Sequence, residues 1–328
     1  MHFRKRFALL STCFFCYSLS AQVPSSESFL DAPGPTGRLA GTLLTPASEV
    51  APVVLIVPGS GPTDRDGNSP AGIKASTYRL LAEGLAAHGV TTLRIDKRGM
   101  FASAAATPDP NKVTIADYVM DVRSWVGVLR RQTGAPCVWV LGHSEGGLVA
   151  MAAAKEQADI CGLVLVATAG RPMGEVLRDQ LKANPANAPI LSQALSAIDE
   201  LEHGNRVNTG ALHPALQRLF NPAVQGFLIS AFSYDPRRVF SDYMKPVLVL
   251  QGQRDIQVGE ADARLLKQFD PRASLVLLPN VNHVLKSVAS DDRAANVATY
   301  SNPALPLALG VVEAIANFLT GNSNSPKN

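Results

Sequence analysis

Long apolar runs, charge of one sign and cysteine are all scarce in this chain, and each scarcity removes a class of function. Past the N-terminal stretch no segment offers 18 uninterrupted apolar residues, so no later span reads as a transmembrane helix. The 30 Lys and Arg against 27 Asp and Glu leave a formal charge of only +3, which gives no electrostatic footprint for a nucleic-acid or polyanion partner. Of the four cysteines, Cys13 and Cys16 lie near the N-terminus, leaving Cys137 and Cys161. That pair forms no C-x-x-C motif and has no histidine cluster beside it, so it offers one disulfide at most and no metal site. Internal repeats and long low-complexity tracts are missing as well, which leaves out solenoids and disordered arrays.

What is present begins with a leader. Arg4, Lys5 and Arg6 precede an apolar run from Phe7 to Leu19, and Ser18-Leu19-Ser20-Ala21 supplies small residues for cleavage. Residues 1–21 therefore read as a signal peptide, too short to span about 30 Å of hydrocarbon, and the mature protein is expected to be periplasmic or secreted without stable membrane insertion. Lipid attachment at Cys13 is the weaker alternative, because Thr12 suits such a signal poorly. The rest, about 300 residues, is enough for one large domain carrying an insertion.

Strand and helix signals alternate through the first half. Leu39–Leu44 and Val53–Val57 read as strands, Tyr78–His88 as a helix, Thr91–Ile95 as a strand, and Ile115–Arg131 as a second helix ended by Gly134. Strands at Val138–Leu141 and Gly162–Ala167 follow. That rhythm predicts an α/β chain with a doubly wound, mostly parallel sheet. From 171 to 245 it stops: Pro185, Pro189, Pro214, Pro222 and Pro236 punctuate a segment of helical tone with no Val/Ile-rich strand, expected to be a helical cap. Pro246–Leu250 then resumes the sheet, Glu260–Phe269 is a helix, Ser274–Leu278 the last strand and Leu307–Leu319 a closing helix. The expected organisation is core at 22–170, cap at 171–245 and core again at 246–328.

The strand at Val138 breaks at Gly142-His143-Ser144-Glu145-Gly146-Gly147 and passes into an alanine-rich helix. G-x-S-x-G between strand and helix is the nucleophile elbow, a strained bend that lifts the Ser144 hydroxyl above the sheet. A serine hydroxyl attacks only when a base takes its proton, and the base needs a carboxylate to hold its tautomer. In a doubly wound sheet these groups must sit in loops just after strands. Among the six histidines, His2 is in the leader, His88 ends a helix, His203 and His213 fall in the cap, and His143 adjoins the serine and is expected to point elsewhere. His283 follows the last strand and is the candidate base. Asp255 follows the strand ending at Leu250 and is the candidate acid, whereas Asp262 and Asp270 belong to the next helix and read as solvated. The developing oxyanion needs amide donors: Glu145 at the N-terminus of the elbow helix, and Ser60, with Gly61 second, in the glycine-rich loop after Val57.

These residues carry a resemblance. The chain resembles secreted serine esterases of the α/β-hydrolase fold, in the group with a Pro-Gly-Ser-Gly-Pro-Thr-Asp-Arg-Asp-Gly-Asn loop (58–68), an Asp-Lys-Arg-Gly segment (96–99) and a Gly-His-Ser-Glu-Gly-Gly elbow (142–147). Asp255-Ile256-Gln257-Val258 matches the D-x-x-V acid turn of that group. The likeness covers nearly the whole mature chain except the cap and implies carboxylic ester hydrolysis, on a small-molecule ester and without a cofactor. One departure is Pro58, where many lipases and esterases place a histidine before the oxyanion glycine.

The stretch Asp64-Arg65-Asp66-Gly67-Asn68 invites a calcium-loop reading, which fails because its sixth position is Ser69 and its twelfth Ala75. Ion pairs among Asp64, Asp66, Lys97 and Arg98 are expected to brace this loop. Cys137 and Cys161 precede adjacent strands at the end of the sheet away from the elbow; they can pair, the alternative being two reduced buried thiols. In the cap, Leu177, Leu181, Leu195, Leu219, Phe220, Phe227, Leu228 and Phe232 supply apolar bulk for a pocket over Ser144, with Phe227 and Phe232 as candidate substrate contacts. Short-chain acyl esters are the expected substrates. A peptidase or thioesterase shares the same acyl-transfer chemistry, and a non-catalytic binding protein is the reading from a different class. A dehalogenase would need an aspartate where Ser144 stands.

Overall fold

The computed structural model describes residues 25–47, 52–155, 157–241 and 243–323, and the segment read as a leader lies outside them. Eight strands form one sheet in the order β1-β2-β4-β3-β5-β6-β7-β8. They are β1 (Ser25–Pro33), β2 (Arg38–Pro46), β3 (Val53–Val57), β4 (Thr91–Ile95), β5 (Val138–His143), β6 (Ile160–Val166), β7 (Val247–Gly252) and β8 (Ser274–Leu278). β2 runs antiparallel to both β1 and β4, and every other pairing is parallel. β3, β4, β5 and β7 are buried at every position, as strands inside a sheet covered on both faces must be; Val53–Val57, Val138–Leu141 and Val247–Leu250 therefore stand out in the sequence as unbroken apolar runs, whereas β4 buries Thr91, Thr92 and Arg94 among its apolar residues. β1 was not expected. Its serines and mostly exposed side chains carry no core pattern, and it exists because it extends the sheet edge in continuous register with β2, from Ser25 opposite Pro46 to Pro33 opposite Arg38.

Eleven α-helices lie among the described residues: α1 (Thr77–Ala87), α2 (Ile115–Thr133), α3 (Glu145–Ala154), α4 (Met173–Lys182), α5 (Leu191–Glu202), α6 (Pro214–Gln217), α7 (Pro222–Phe232), α8 (Pro236–Phe240), α9 (Glu260–Phe269), α10 (Arg293–Ala298) and α11 (Val311–Ser323). One face of the sheet packs against α2, α3 and α9 through residues such as Trp125, Leu148 and Leu266, and the other against α1 and α11 through Leu81, Leu85, Ile315 and Leu319. α2 carries both end signals: Thr114 and Asp117 form a reciprocal capping box, and Gly134 closes the helix at φ 72°.

Helices α4 to α8 occupy the interval between β6 and β7, where the cap was expected. Three of its prolines start helices. Pro214, Pro222 and Pro236 each take the first helical position, where a missing N–H costs nothing, and His213, Asn221 and Asp235 before them accept from the amides of Ala215, Ala223 and Arg237. The base of the cap corrects one expectation. Asp262 is fully buried, accepting from the Gly170 amide at 3.1 Å and from both Nε and Nη2 of Arg171, so it ties the cap's first residue to α9. Asp270 is buried too and holds the Arg272 Nε at 2.9 Å. Neither carboxylate is solvated, because each caps a local cluster of amides and guanidinium groups that periodicity alone does not reveal.

Cys137 and Cys161 are joined in a disulfide across the N-terminal ends of β5 and β6, with a sequence separation of 24. On the chain-entropy argument a loop of that size stabilises the fold by at most about 3.5 kcal/mol.

Candidate active site

β5 delivers Ser144 into a backbone conformation that few residues adopt, φ 55° and ψ −123°. The bend is held by hydrogen bonds on both sides, from the Ser144 amide to the Val166 carbonyl at 2.9 Å and from the Gly147 amide to the Ser144 carbonyl at 2.9 Å. It closes only because side chains are absent. A Cβ on Gly146 would lie 2.3 Å from the Val57 carbonyl oxygen, and one on Gly147 would lie 2.1 Å from Thr168 Oγ1. The elbow glycines thus let α3 press against the ends of β3 and β6, leaving Ser144 at the N-cap of α3.

The loops after β7 and β8 bring the other two candidates together. His283 Nδ1 donates to Asp255 Oδ2 at 2.7 Å, and the two side chains are 7% and 1% exposed. Asp255 Oδ1 accepts from the amides of Gln257 at 2.7 Å and Val258 at 3.0 Å, so the turn after the acid orients it. Ser144 and His283 line one chamber of about 100 Å³.

His143, expected to point away, instead couples two loops of the site. One of its nitrogens, Nε2, lies 2.8 Å from the His283 carbonyl oxygen, and Nδ1 lies 3.0 Å from Tyr78 Oη. A carbonyl can only accept, so Nε2 carries the proton, Nδ1 accepts from the Tyr78 hydroxyl, and that hydroxyl accepts from the Gly59 amide at 2.9 Å. Burial and the neighbouring His283 push the His143 pKa down from 6.5 to about 3, which keeps this relay uncharged. The unfolded chain takes up a proton near pH 6.5 that the folded chain refuses, so His143 contributes stability fully above that pH and loses it as pH falls toward about 3. The expected slope inside that window is one proton, about 1.4 kcal/mol per pH unit. Denaturant unfolding of the wild type and of His143→Gln at several pH values from 7 to 4 checks it: the variant should lose stability less steeply, and parallel curves would contradict the assignment.

Two predicted donors sit at the reaction end of the sheet. Ser60 and Glu145 line a cavity of about 340 Å³ together with Ser144 and Gly61. The Gly59 amide is already spent on Tyr78, whereas the amides of Ser60, Gly61 and Glu145 have no protein acceptor among the described residues. The same cavity is roofed by the cap. Phe227 and Phe232 line it, as do Leu177, Leu219 and Leu228, whereas Leu181 and Phe220 are buried in the packing of the cap and Leu195 does not reach it. Met173, Val176 and Val258 also line it; nothing in the sequence singled out the first two, and Val258 stood out only as the last residue of the acid turn.

The bracing of the glycine-rich loop after β3 differs from the expected pairing. Asp66 pairs with Arg94, Asp64 Oδ1 accepts the amides of Asp66 and Asn68, and Arg65 binds Asp96 through Nη2 at 2.6 Å. Arg98 pairs with Asp117 and Asp121, and Lys97 turns inward to the Gly59 carbonyl and Glu145. The expected partners are bypassed because Asp96 to Arg98, directly after β4, face three different neighbours. The position of Asp-Lys-Arg-Gly right after a strand was the available signal that Lys97 belongs to the site.

A family model described as the alpha/beta hydrolase family matches residues 53–299. The chain is 29% identical over 269 residues to esterase EstD of Thermotoga maritima, covering 80% of this chain but 61% of that protein's length. Among solved structures, Est1E from Butyrivibrio proteoclasticus superposes with a TM-score of 0.55 at 16% identity, over 90% of this chain and 99% of that one. A Pyrococcus furiosus esterase gives 0.56 at 17%, over 90% and 91%. These likenesses in structure establish the α/β-hydrolase fold.

Proposed function

We propose that this chain, which belongs to the alpha/beta hydrolase family, is a serine hydrolase that cleaves short-chain carboxylic esters through an acyl-enzyme on Ser144. The observation that carries this reading is the His283–Asp255 pair at 2.7 Å, the acid oriented by two backbone amides, facing the chamber into which Ser144 is presented. The 29% identity to an esterase supports it.

In this mechanism Ser144 Oγ attacks the ester carbonyl while its proton passes to Nε2 of His283, and Asp255 stabilises the imidazolium that forms. The carbonyl oxygen, now negative, is received by the amides of Ser60 and Glu145, the second assisted by the N-terminal dipole of α3. As the tetrahedral intermediate collapses, Nε2 returns the proton to the departing alcohol. Water then attacks the acyl-enzyme with His283 again as base, releasing the acid and restoring the serine. The sequence of steps needs no cofactor. Export by the N-terminal leader is part of the proposal and is supported by the Cys137–Cys161 disulfide, since such bonds persist in oxidising compartments.

The acyl chain is assigned to the cavity under the cap, with Phe227 and Phe232 as contacts. At about 340 Å³ it lies near the lower end of ligand pockets, so it rewards added methylenes only until it is full. Each methylene buried is worth about 0.8 kcal/mol, roughly fourfold in kcat/KM, and beyond the limit the same group has no place to go. A series of p-nitrophenyl esters is therefore expected to rise from acetate to a short optimum and to fall at least tenfold by dodecanoate, with Phe232→Ala moving the optimum to longer chains. Preferential turnover of emulsified long-chain lipids or of peptides would replace this reading with a lipase or peptidase.

A further inference from the structure

Lys97 and Glu145 form a buried charged pair that the mechanism above leaves unused, and the place where the lysine lands gives it a role. Their side chains are 4% and 1% exposed, with Lys97 Nζ 3.6 Å from Glu145 Oε1. Both Glu145 carboxylate oxygens lack a hydrogen-bond partner, so Lys97 is what compensates that charge. The ammonium also lies over the Tyr118 ring, 5.2 Å from its centre, and donates to the Gly59 carbonyl at 2.6 Å. That carbonyl belongs to the same peptide unit as the Ser60 N–H, the donor assigned to the oxyanion. In a trans peptide the two groups point in opposite directions, so a cation held on the Gly59 oxygen sits behind an N–H aimed at the other side. The backbone here lies close to the serine: a Cβ on Gly59 would be 3.2 Å from Ser144 Cβ, and Ser60 lines both chambers that Ser144 enters. Lys97 itself lines neither of them.

We infer that Lys97 is a positioning residue of the oxyanion hole: it fixes the Gly59–Ser60 peptide and polarises it, making the Ser60 amide a stronger donor to the tetrahedral intermediate. Glu145 serves twice, its amide as the second donor and its carboxylate as the counterion that lets a lysine be buried there. Two adjacent peptide units are then pinned by buried side chains, the first through Tyr78 on the Gly59 amide and the second through Lys97 on the Gly59 carbonyl. Hydrogen bonds arranged in line strengthen one another, most of all in a water-poor interior and when one partner is charged. Stability alone is a weak reason for a buried ion pair, since well-packed apolar residues of similar volume often do as well.

The inference rests on the serine-esterase reading, and its test keeps the two apart. Lys97→Met alone would strand the Glu145 carboxylate in the interior, so the variant of choice is Lys97→Met/Glu145→Gln, which removes both charges together and preserves volume. It should fold with a denaturation midpoint close to that of the wild type. Removing a whole oxyanion donor costs about 10²–10³ in rate, so weakening one should lower kcat on a short ester about ten- to hundredfold with KM within about twofold. A trifluoromethyl ketone, which adds to serine as a tetrahedral adduct, should bind weaker by the same factor, whereas an unreactive amide of the same acyl group should bind as before. A kcat within twofold of the wild type, or equal weakening of ketone and amide, overturns the role of Lys97. Should the double variant not fold, the wild type still decides: on binding the ketone, the Ser60 amide proton should move downfield by more than that of Glu145, and an equal or smaller shift overturns the inference. A wild type that hydrolyses no ester and takes up no ketone refutes the underlying esterase reading instead.

Discussion

Ser144→Ala is expected to lower kcat/KM for a short aryl ester by about 10⁶ while leaving the denaturation midpoint unchanged. The size follows from the unit character of such a site, because without the nucleophile the base and acid have nothing to activate and only binding and the oxyanion donors remain, worth about 10³–10⁴ over water. Unchanged stability follows from the local structure. The Ser144 side chain makes no hydrogen bond at the cap of α3, and the amide and carbonyl bonds that hold the bend, to Val166 and from Gly147, involve backbone alone. Alanine at φ 55° bears the same strain that serine already bears. Ester hydrolysis surviving within tenfold of the wild type would remove Ser144 from the mechanism. A variant that loses activity together with its cooperative unfolding would show a structural role only.

Asp255→Asn is expected to cost about 10⁴, less than loss of the serine, and the reason is a forced tautomer. Asp255 Oδ1 accepts the amides of Gln257 and Val258 at 2.7 and 3.0 Å, so an asparagine must keep its carbonyl oxygen there. Its NH₂ then faces Nδ1 of His283, where Oδ2 now accepts at 2.7 Å, and also meets the Gln251 Nε2 donor at 3.2 Å. Nδ1 must become the acceptor, which puts the ring proton on Nε2, the nitrogen required to receive the serine's proton. Geometry is retained and basicity is misplaced. Steady-state kinetics should show the loss in kcat with a KM little changed; a loss confined to KM would mean that Asp255 shapes the pocket rather than the base.

The strands were legible because the parallel sheet is covered on both faces, so Val53–Val57 and Val247–Leu250 appear as unbroken apolar runs. The three candidates were legible for a related reason, since the fold places chemistry where such runs end, and Ser144, Asp255 and His283 each follow one. What stayed hidden depends on meetings between distant segments. Lys97 reaches Gly59 across 38 positions, Tyr78 reaches His143 across 65, and Arg171 finds Asp262 across 91, with no local pattern announcing any of them. Edge strand β1 was missed for the opposite reason: backbone pairing holds it, and most of its side chains remain in water. Cap residues fell between these cases. The apolar content of 171–245 was plain, but which of its residues face the cavity, Phe227 and Phe232 rather than Phe220, is set by how α7 lies over Ser144.

The measurement closest to the central claim is covalent capture of the nucleophile. Incubating the purified protein with an alkyl fluorophosphonate should add one phosphonyl group per chain to its intact mass. Fragmentation should place that group on the peptide containing Gly142-His143-Ser144-Glu145-Gly146. Ser144→Ala should take up none, and a trifluoromethyl ketone should slow the labelling of the wild type. An unmodified wild-type mass under conditions in which the protein hydrolyses p-nitrophenyl butyrate, or an adduct on any other residue, would contradict the account.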